Sequence, residues 1–340
     1  MEVVPGVSQE LAAYRKASLS NIRYELRFVI PKQMDQQITA TQSITFDLSN
    51  TFQDLQLDFK EDPGLIQALS VNGDTVYYSF AREHIILSKE VLKEGENRID
   101  IRFYAGESSL NRNPDYLYTL FVPDRARTAF PLFDQPNLKA RYELTLVIPK
   151  EWEAISNARI ITDIEDDYTR EIQFAESDLI SSYLFSFVAG DFEKVTRSVS
   201  GREMTMLHRE NDPDKVKRNL DEIFRLHAAS LEWLEDYTGI AYPFQKFDFA
   251  LIPSFQYGGM EHVGAIQYNA SSLFLDENPS ENQLLGRASL IAHETAHMWF
   301  GDLVTMDWFN DVWTKEVFAN FMAAKIVNPG FPEINHDLNF

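Results

Sequence analysis

Residues 293–321 read HETAHMWFGDLVTMDWFNDVWTKEVFANF, and the first five letters form the pattern HExxH. The apolar residues on the N-terminal side of this stretch predict a helix over Glu281 to Phe300. Positions i and i+4 lie on one face of a helix, so the imidazoles of His293 and His297 can reach one metal ion at about 2.0–2.1 Å. The stretch therefore predicts a metal site built on a helix.

Two carboxylates in the same stretch complete a candidate zinc site. Glu294 projects beside the ion, where it can take a proton from a water molecule whose pKa zinc lowers to about 7. Glu316 follows His297 after 18 intervening residues, on a helix predicted to begin near Trp313, and supplies a third ligand. In a chain with seven histidines and 52 acidic residues, HExxH would arise by chance roughly 0.02 times. The pattern therefore predicts one Zn²⁺ ion bound by His293, His297 and Glu316.

The composition excludes several other classes of protein. The chain has 340 residues, of which 31 are basic and 52 acidic, and its net charge is −21. Such an excess of negative charge disfavours binding to nucleic acid or to an anionic membrane surface. The chain contains no cysteine, which excludes disulfides, thiolate catalysis and zinc sites built on cysteine. Any zinc must therefore be held by histidine and carboxylate side chains.

The sequence leaves the compartment open. No apolar run approaches the roughly 18 residues of a membrane span, so no transmembrane helix is predicted. The opening residues, MEVVPGVSQELAAYRKAS, lack the basic and apolar regions of a signal peptide. Because a signal removed before position 1 would leave no trace, both a cytoplasmic and an exported protein remain compatible with the sequence.

The first half of the chain has the pattern of short β-strands. Between Asn21 and Val195, apolar and polar residues alternate in short runs, and Tyr142 to Ile148 and Tyr183 to Val188 are two of the predicted strands. Asn72-Gly73, which stands between two apolar runs, predicts a hairpin with a type I′ turn. No amphipathic helix is predicted within this stretch, so we expect a β-rich domain with several stacked sheets.

The pattern changes to helical spacing after Gly201. Asp212-Pro213 is a helix-start signal, and apolar residues at helical spacing follow it. Phe247 to Ile252 predicts a further strand. We therefore expect two domains, residues 1–195 and 196–340, and an α+β fold class for the chain as a whole.

The zinc segment resembles that of the aminopeptidase N family, peptidase family M1, whose members are gluzincin metallopeptidases. Upstream of it, Gly258-Gly259-Met260-Glu261-His262 is similar to the family's exopeptidase motif GxMEN. Residues 130–136, FPLFDQP, and the Lys-Ala pair at 139–140 resemble the signature of the family's N-terminal domain. The resemblance runs in the same order from about Tyr24 to the last residue.

The resemblance implies a fold and a metal site. It implies an all-β, saddle-like N-terminal domain of several sheets, followed by the start of a thermolysin-like zinc-peptidase domain that is incomplete at its C-terminus. In that domain His293, His297 and Glu316 would bind zinc, and Glu294 would polarise the attacking water.

The resemblance also implies a substrate-binding site around the GxMEN-like motif. Glu261 would hold the free α-amine of a peptide, and a carboxylate is the physical partner that an ammonium group needs. Gly258, Gly259 and Met260 would lie beside the substrate, where the two glycines let an extended peptide approach and pair with an edge strand.

The sequence departs from the family pattern at four positions near the site. His262 replaces the usual Asn of GxMEN, and we expect it to support the loop rather than to bind the metal. Lys315 and Val317 flank Glu316 where Asn and Gly are more common in the family. Asp302 stands where Asn is common.

The resemblance therefore implies a zinc-dependent aminopeptidase that hydrolyses the N-terminal peptide bond of peptides with a free N-terminus. Family members continue beyond the position that corresponds to Phe340, and that part carries a tyrosine thought to stabilise the oxyanion. We therefore expect a missing C-terminal portion of the same polypeptide as a partner, and weak or no activity of this chain by itself.

Two alternatives to an aminopeptidase stay open. The first is a zinc hydrolase of related fold, such as an endopeptidase. The second is a non-catalytic zinc-binding fragment, which would hold about one equivalent of zinc without turnover.

Overall fold

The computed structural model describes residues 2–334, so residues 335–340 of the predicted second domain lie outside the described residues. The chain divides into two compact units, Met1–Gly190 and Asp191–Phe340. A β-sheet unit precedes a unit of helices and one sheet, which confirms the predicted α+β fold class. The boundary at residues 195 and 196 stays a prediction. Among the helices of residues 2–334, none combines the length and the hydropathy of a membrane-spanning segment.

The first unit consists of one α-helix and three sheets within its described residues. The helix, α1 (Gln9–Ser18), was not predicted; it begins after Ser8, whose side chain accepts the N–H of Leu11. The strands are β1 (Leu19–Val29), β2 (Thr39–Leu48), β3 (Leu55–Asp58), β4 (Ile66–Val71), β5 (Asp74–Thr75), β6 (Tyr78–Ala81), β7 (His84–Leu87), β8 (Gly95–Tyr104), β9 (Tyr116–Tyr118), β10 (Arg141–Pro149), β11 (Glu153–Ser156), β12 (Ile160–Glu165), β13 (Thr169–Phe174) and β14 (Phe187–Gly190).

The three sheets confirm the predicted multi-sheet domain. The largest has eight strands in the order β12-β13-β10-β1-β2-β8-β4-β5, and the other two have the orders β11-β14-β9 and β3-β7-β6. The period-2 pattern of β1 places Leu26 and Phe28 in the core and leaves Glu25 and Arg27 exposed. Between β4 and β5, Asn72-Gly73 has φ values of 53° and 93°, as the predicted type I′ turn requires.

The strand predicted over Tyr183 to Val188 is partly wrong. Ser182–Leu184 form a 3₁₀ turn, and β14 begins only at Phe187. The turn is held by the N–H of Leu184, which donates to the carbonyl of Ser181, and by the hydroxyl of Ser182, which donates to Asp134. Every residue of this segment is buried, so its alternating aromatic residues do not mark one face of a strand.

The second unit contains a five-stranded sheet and four α-helices within its described residues. The sheet has the order β15-β16-β17-β19-β18. The strands are β15 (Glu193–Val199), β16 (Arg202–His208), β17 (Phe249–Ile252), β18 (Gly259–Met260) and β19 (Ile266–Asn269), and the helices are α2 (Pro213–Thr238), α3 (Ala270–Leu273), α4 (Glu281–His297) and α5 (Val312–Val327). The predicted strand from Phe247 begins at Phe249 instead, because Phe247 precedes the first residue that pairs with β19.

Helix α2 has the ends that its sequence predicts. Asp212 caps its first turn by accepting the N–H groups of Asp214 and Lys215, and Pro213 occupies the first turn, where no N–H partner is needed. The helix stops at Gly239, whose φ of 69° is a left-handed conformation that glycine adopts without strain. The apolar face of α2 packs into the core of the second unit.

His227 on α2 is a neutral histidine in this core. Its Nδ1–H donates to the carbonyl of Ile223, so Nε2 accepts from the hydroxyl of Tyr268 at 3.0 Å. The ring stacks on Phe249 with a centroid distance of 4.2 Å. Burial lowers the pKa of His227 to about 4, because the charged imidazolium has no water around it.

His227 therefore makes the stability of the second unit depend on pH. Its pKa is about 6.5 when unfolded, so the unfolded state binds the proton first and stability falls as the pH drops from 6.5 toward 4. We expect the loss of unfolding free energy between pH 7.5 and 4.5 to be smaller by about 2.5 kcal/mol in His227→Gln. Urea unfolding at several pH values measures this, and parallel pH curves for the two proteins would contradict it.

Candidate metal centre

Helix α4 carries both histidines of the HExxH pattern at its C-terminal end. The helix begins with a capping box, in which Ser280 accepts the N–H of Gln283 and the Gln283 side chain accepts the N–H of Ser280. Four residues separate His293 and His297, so their rings lie on one face, and their Nε2 atoms are 3.1 Å apart. The structure thus brings the two predicted imidazole ligands together.

A hydrogen bond fixes which nitrogen of His297 faces His293. The carbonyl of Phe300 can only accept, so Nδ1–H of His297 donates to it at 3.0 Å. Nε2 therefore keeps its lone pair, and a hydrogen bond from the other ring nitrogen is the usual way to orient a metal-binding histidine. The chain turns away at Gly301 with a φ of 145°, and a Cβ there would lie 3.2 Å from Nδ1 of His297.

Helix α5 brings Glu316 to the two histidines. Its Oε2 is 3.4 Å from Nε2 of His293 and 3.6 Å from Nε2 of His297. In a tetrahedral zinc site, bonds of about 2.0–2.2 Å separate neighbouring ligand atoms by about 3.3–3.6 Å. Two imidazole nitrogens and one carboxylate oxygen are also a donor set that catalytic zinc takes. The spacing and chemistry of these three side chains fit one zinc ion, although their role as ligands stays a prediction.

Glu294 lies beside this cluster and is buried, with 3% of its surface exposed. Within residues 2–334 its Oε2 has no hydrogen-bond partner. A ligand atom of Glu294 lies within 4.8 Å of one from Glu261 and one from His297. Burial raises the pKa of Glu294 to about 8, and the charge of Glu261 acts in the same direction. A cation nearby would lower it again, so this side chain is suited to exchange a proton.

The GxMEN-like segment forms the edge strand β18 of the sheet. Gly259 and Met260 pair with Tyr268 and Gln267 of β19, and no further strand within the described residues pairs with β18. A Cβ added to Gly259 would lie 2.4 Å from Oε1 of Glu294. In the structure this glycine makes room for Glu294, and its expected place beside a substrate stays a prediction.

Glu261 is buried and forms an ion pair that the sequence did not predict. The ammonium group of Lys315 donates to Oε1 of Glu261, and it also donates to Oε1 of Glu316 at 2.8 Å. Although burial opposes it, the charge of Lys315 holds the pKa of Glu261 below its usual range. The signal in the sequence was the replacement of the family's usual Asn by Lys315.

His262 is buried next to Glu261 and carries no charge near neutral pH. Burial lowers its pKa to about 3. It belongs to neither group of potential metal ligands within the described residues. The expectation that His262 supports the loop therefore stays a prediction.

A β-sheet unit followed by a unit of helices and one sheet, with HExxH and a distant glutamate, is typical of the gluzincin class of metallopeptidases. Comparison with known families agrees with this class. The Peptidase M1 N-terminal domain matches residues 20–184, and the Peptidase family M1 domain matches residues 222–340. The chain belongs to peptidase family M1, which is zinc-dependent.

Three similar curated proteins are named as aminopeptidases. The chain is 33% identical to Probable aminopeptidase 1 of Sulfurisphaera tokodaii over 282 residues, which is 81% of this chain and 35% of the relative. It is 36% identical to Puromycin-sensitive aminopeptidase of Caenorhabditis elegans over 226 residues, 65% of this chain and 23% of the relative. It is 33% identical to Leucyl aminopeptidase of Saccharolobus solfataricus over 243 residues, 71% of this chain and 30% of the relative. The matched part of the chain thus corresponds to about a third or less of each relative.

The contact between Gly259 and Glu294 yields a prediction about stability. Gly259→Ala forces its Cβ into the buried Glu294 side chain, so we expect a loss of about 1–3 kcal/mol in unfolding free energy. In a Glu294→Ala background the clash disappears, and the same change should cost less than about 0.5 kcal/mol. Urea unfolding of the four proteins measures both values.

Gly258 offers a matched control for this substitution. It is exposed, and a Cβ there would lie 3.2 Å from Cδ1 of Leu290, which is only partly buried. Gly258→Ala should therefore stay within about 0.5 kcal/mol of the parent chain. An equal cost of Gly259→Ala with and without Glu294 would show that the glycine acts in another way.

The position of Glu316 yields a prediction about zinc affinity. Removing a group that only orients a metal ligand lowers metal affinity by about 10–100-fold. Glu316 is proposed to bind the zinc directly, so we expect Glu316→Gln to lower zinc affinity by at least about 100-fold. Titration against a chelator of known affinity measures this. Glu281→Gln, at the exposed start of α4, is the control. Equal zinc affinities of both variants would remove Glu316 from the set of ligands.

Proposed function

We propose that this chain carries the zinc site of an aminopeptidase that hydrolyses the N-terminal peptide bond of peptides. The proposal rests on one observation: Nε2 of His293, Nε2 of His297 and Oε2 of Glu316 lie 3.1–3.6 Å from one another. Membership of peptidase family M1 supports it. The names of the similar proteins support it further, although the chain matches only part of their length.

His293, His297 and Glu316 would hold the zinc ion. Zinc in such a site activates water and polarises the carbonyl oxygen of a substrate. Glu294 takes a proton from the attacking water and delivers it to the nitrogen of the leaving amine. Its carboxylate is ionised when a divalent charge lies nearby, because that charge opposes the effect of burial.

The substrate we propose is a peptide with its N-terminus in the site. An extended peptide can add to the edge strand β18 by backbone hydrogen bonds, as peptides add to other exposed sheet edges. Glu261 directly follows β18 and would receive the terminal nitrogen. A fixed position for that nitrogen would bring the first peptide bond to Glu294, so cleavage would release one residue at a time.

A further portion of the same polypeptide is the partner that we propose for this unit. One side of α5 exposes the large apolar side chains of Trp313, Val317, Phe318 and Phe321. Contiguous apolar surface of this kind usually contacts another part of a protein. A C-terminal portion that covers this side of α5 would also provide the donor for the oxyanion that the family resemblance leads us to expect.

The role of Glu294 can be tested by one conservative substitution. We expect Glu294→Gln to keep its zinc and to lose more than about 100-fold in kcat, because a general base contributes about that much. The measurement uses hydrolysis of an amino-acid anilide by the 340-residue chain. It is repeated with the polypeptide of the complete reading frame if that is longer.

The outcomes of this experiment separate the proposal from its alternatives. Equal rates for Glu294→Gln and the parent chain would refute the proposed mechanism. One equivalent of zinc without turnover in either polypeptide would favour the non-catalytic alternative. Cleavage beyond the first peptide bond of a peptide blocked at both ends would favour an endopeptidase.

A further inference from the structure

The carboxylate proposed to hold the substrate's terminal nitrogen already has an ammonium partner within this chain. Lys315 donates to Oε1 of Glu261, and both side chains are buried, with 6% and 3% of their surfaces exposed. The contact links α5 to the residue after β18. Lys315 therefore occupies a position on Glu261 that a substrate ammonium group would otherwise use.

Lys315 is held in this position from several sides. Its ammonium group also donates to Oε1 of Glu316 at 2.8 Å, while the other oxygen of Glu316 faces the two histidines. The position of a Cβ on Gly301 would lie 3.6 Å from Cβ of Lys315, so the start of the side chain is enclosed. Leaving Glu261 would cost Lys315 a charge-assisted hydrogen bond inside the protein.

A second ammonium group would meet the charge of Lys315 at this site. Two cations would compete for one carboxylate, and like charges repel strongly where the surroundings are buried and the dielectric constant is low. The carboxylate of Glu294 also lies near Glu261, but in the proposed function it takes the proton of the attacking water and is not available to hold an ammonium group. His262 cannot supply another anion, because its imidazole is neutral or positive. An uncharged terminal nitrogen, such as the amide of an N-acylated peptide, brings no charge and avoids this repulsion.

We infer that Lys315 is a specificity-determining residue that takes the place of the substrate's ammonium group on Glu261. The site therefore accepts N-acylated peptides, whose terminal nitrogen is uncharged, at least as well as peptides with a free α-amine. This inference rests on the proposed function, because it assumes that Glu261 lies at the terminal nitrogen of a peptide. Replacing Lys315 by the family's usual Asn frees Glu261 for an ammonium group.

Binding of two matched peptides tests the inference. The probes are Leu-Gly-Gly and N-acetyl-Leu-Gly-Gly, titrated calorimetrically into the zinc-loaded 340-residue chain carrying Glu294→Gln, which prevents turnover. We expect the two dissociation constants to agree within about threefold, or the acetylated peptide to bind more tightly. In Lys315→Asn we expect the free peptide to bind at least about tenfold more tightly than the acetylated one, which is about 1.4 kcal/mol.

Two further variants serve as controls. Lys325→Asn makes the same substitution at an exposed position of the same helix, and it should leave the ratio of the two dissociation constants unchanged. Lys315→Asn combined with Glu261→Gln should lose the preference for the free peptide, since no carboxylate remains to receive the amine. Zinc content and circular dichroism are recorded for every variant, because Lys315 also contacts Glu316.

The two dissociation constants of the chain with Lys315 unchanged test the inference even if the Lys315 variants do not fold. A preference of more than about tenfold for the free peptide in the parent chain would overturn the inference, as would a Lys315→Asn ratio equal to that of the parent or binding of neither peptide. The proposed function is tested by different measurements, namely zinc content and hydrolysis of the anilide. A failure of the proposed function can therefore be distinguished from a failure of this inference, which is tested by peptide binding.

Discussion

The packing of α4 against α5 is the constraint on which the candidate metal site depends. Ala288 and Ala292 of α4 form a buried cluster with Ala323 and Val327 of α5. Small side chains at such a contact allow two helices to approach closely, and interaxial distances vary with the size of these side chains. The helix period fixes the two histidines relative to each other, but only this packing brings Glu316 within 3.6 Å of them. Larger side chains at the contact would separate the three proposed ligands while leaving each helix intact.

The same packing concentrates negative charge in a buried place. Glu261, Glu294 and Glu316 approach one another around the histidines, and each carboxylate raises the cost of ionising the next. Lys315 offsets part of this cost, since its ammonium group bridges Glu261 and Glu316. The residue beside the proposed third metal ligand is thus charged and part of this network. It links the charge of the ligand to the charge of the proposed substrate anchor, so a change at this position alters both.

Features governed by local periodicity could be predicted from the sequence, and features governed by tertiary contacts could not. Spacing along α4 predicted which side chains share a face, and positive φ values at a turn followed from an Asn-Gly pair. The strand expected over Tyr183 to Val188 begins later than predicted. Because every residue of this segment is buried, its sequence lacks the alternation of buried and exposed positions that would distinguish a strand from a 3₁₀ turn. Lys315 was recognised only as a departure from a family pattern, since the contact of a long side chain depends on what the fold places within its reach.

The two carboxylates near the ligands are controlled by different physical means. Glu294 is positioned by steric fit, because Gly259 leaves the space that its side chain fills. Glu261 is controlled by charge, because Lys315 supplies the cation that it binds. The glycine is part of the segment that resembles the family motif, whereas the lysine departs from the family pattern. The proton transfer proposed for Glu294 can therefore follow the family's chemistry while the proposed recognition of the terminal nitrogen differs, since this proton transfer does not depend on a free carboxylate at Glu261.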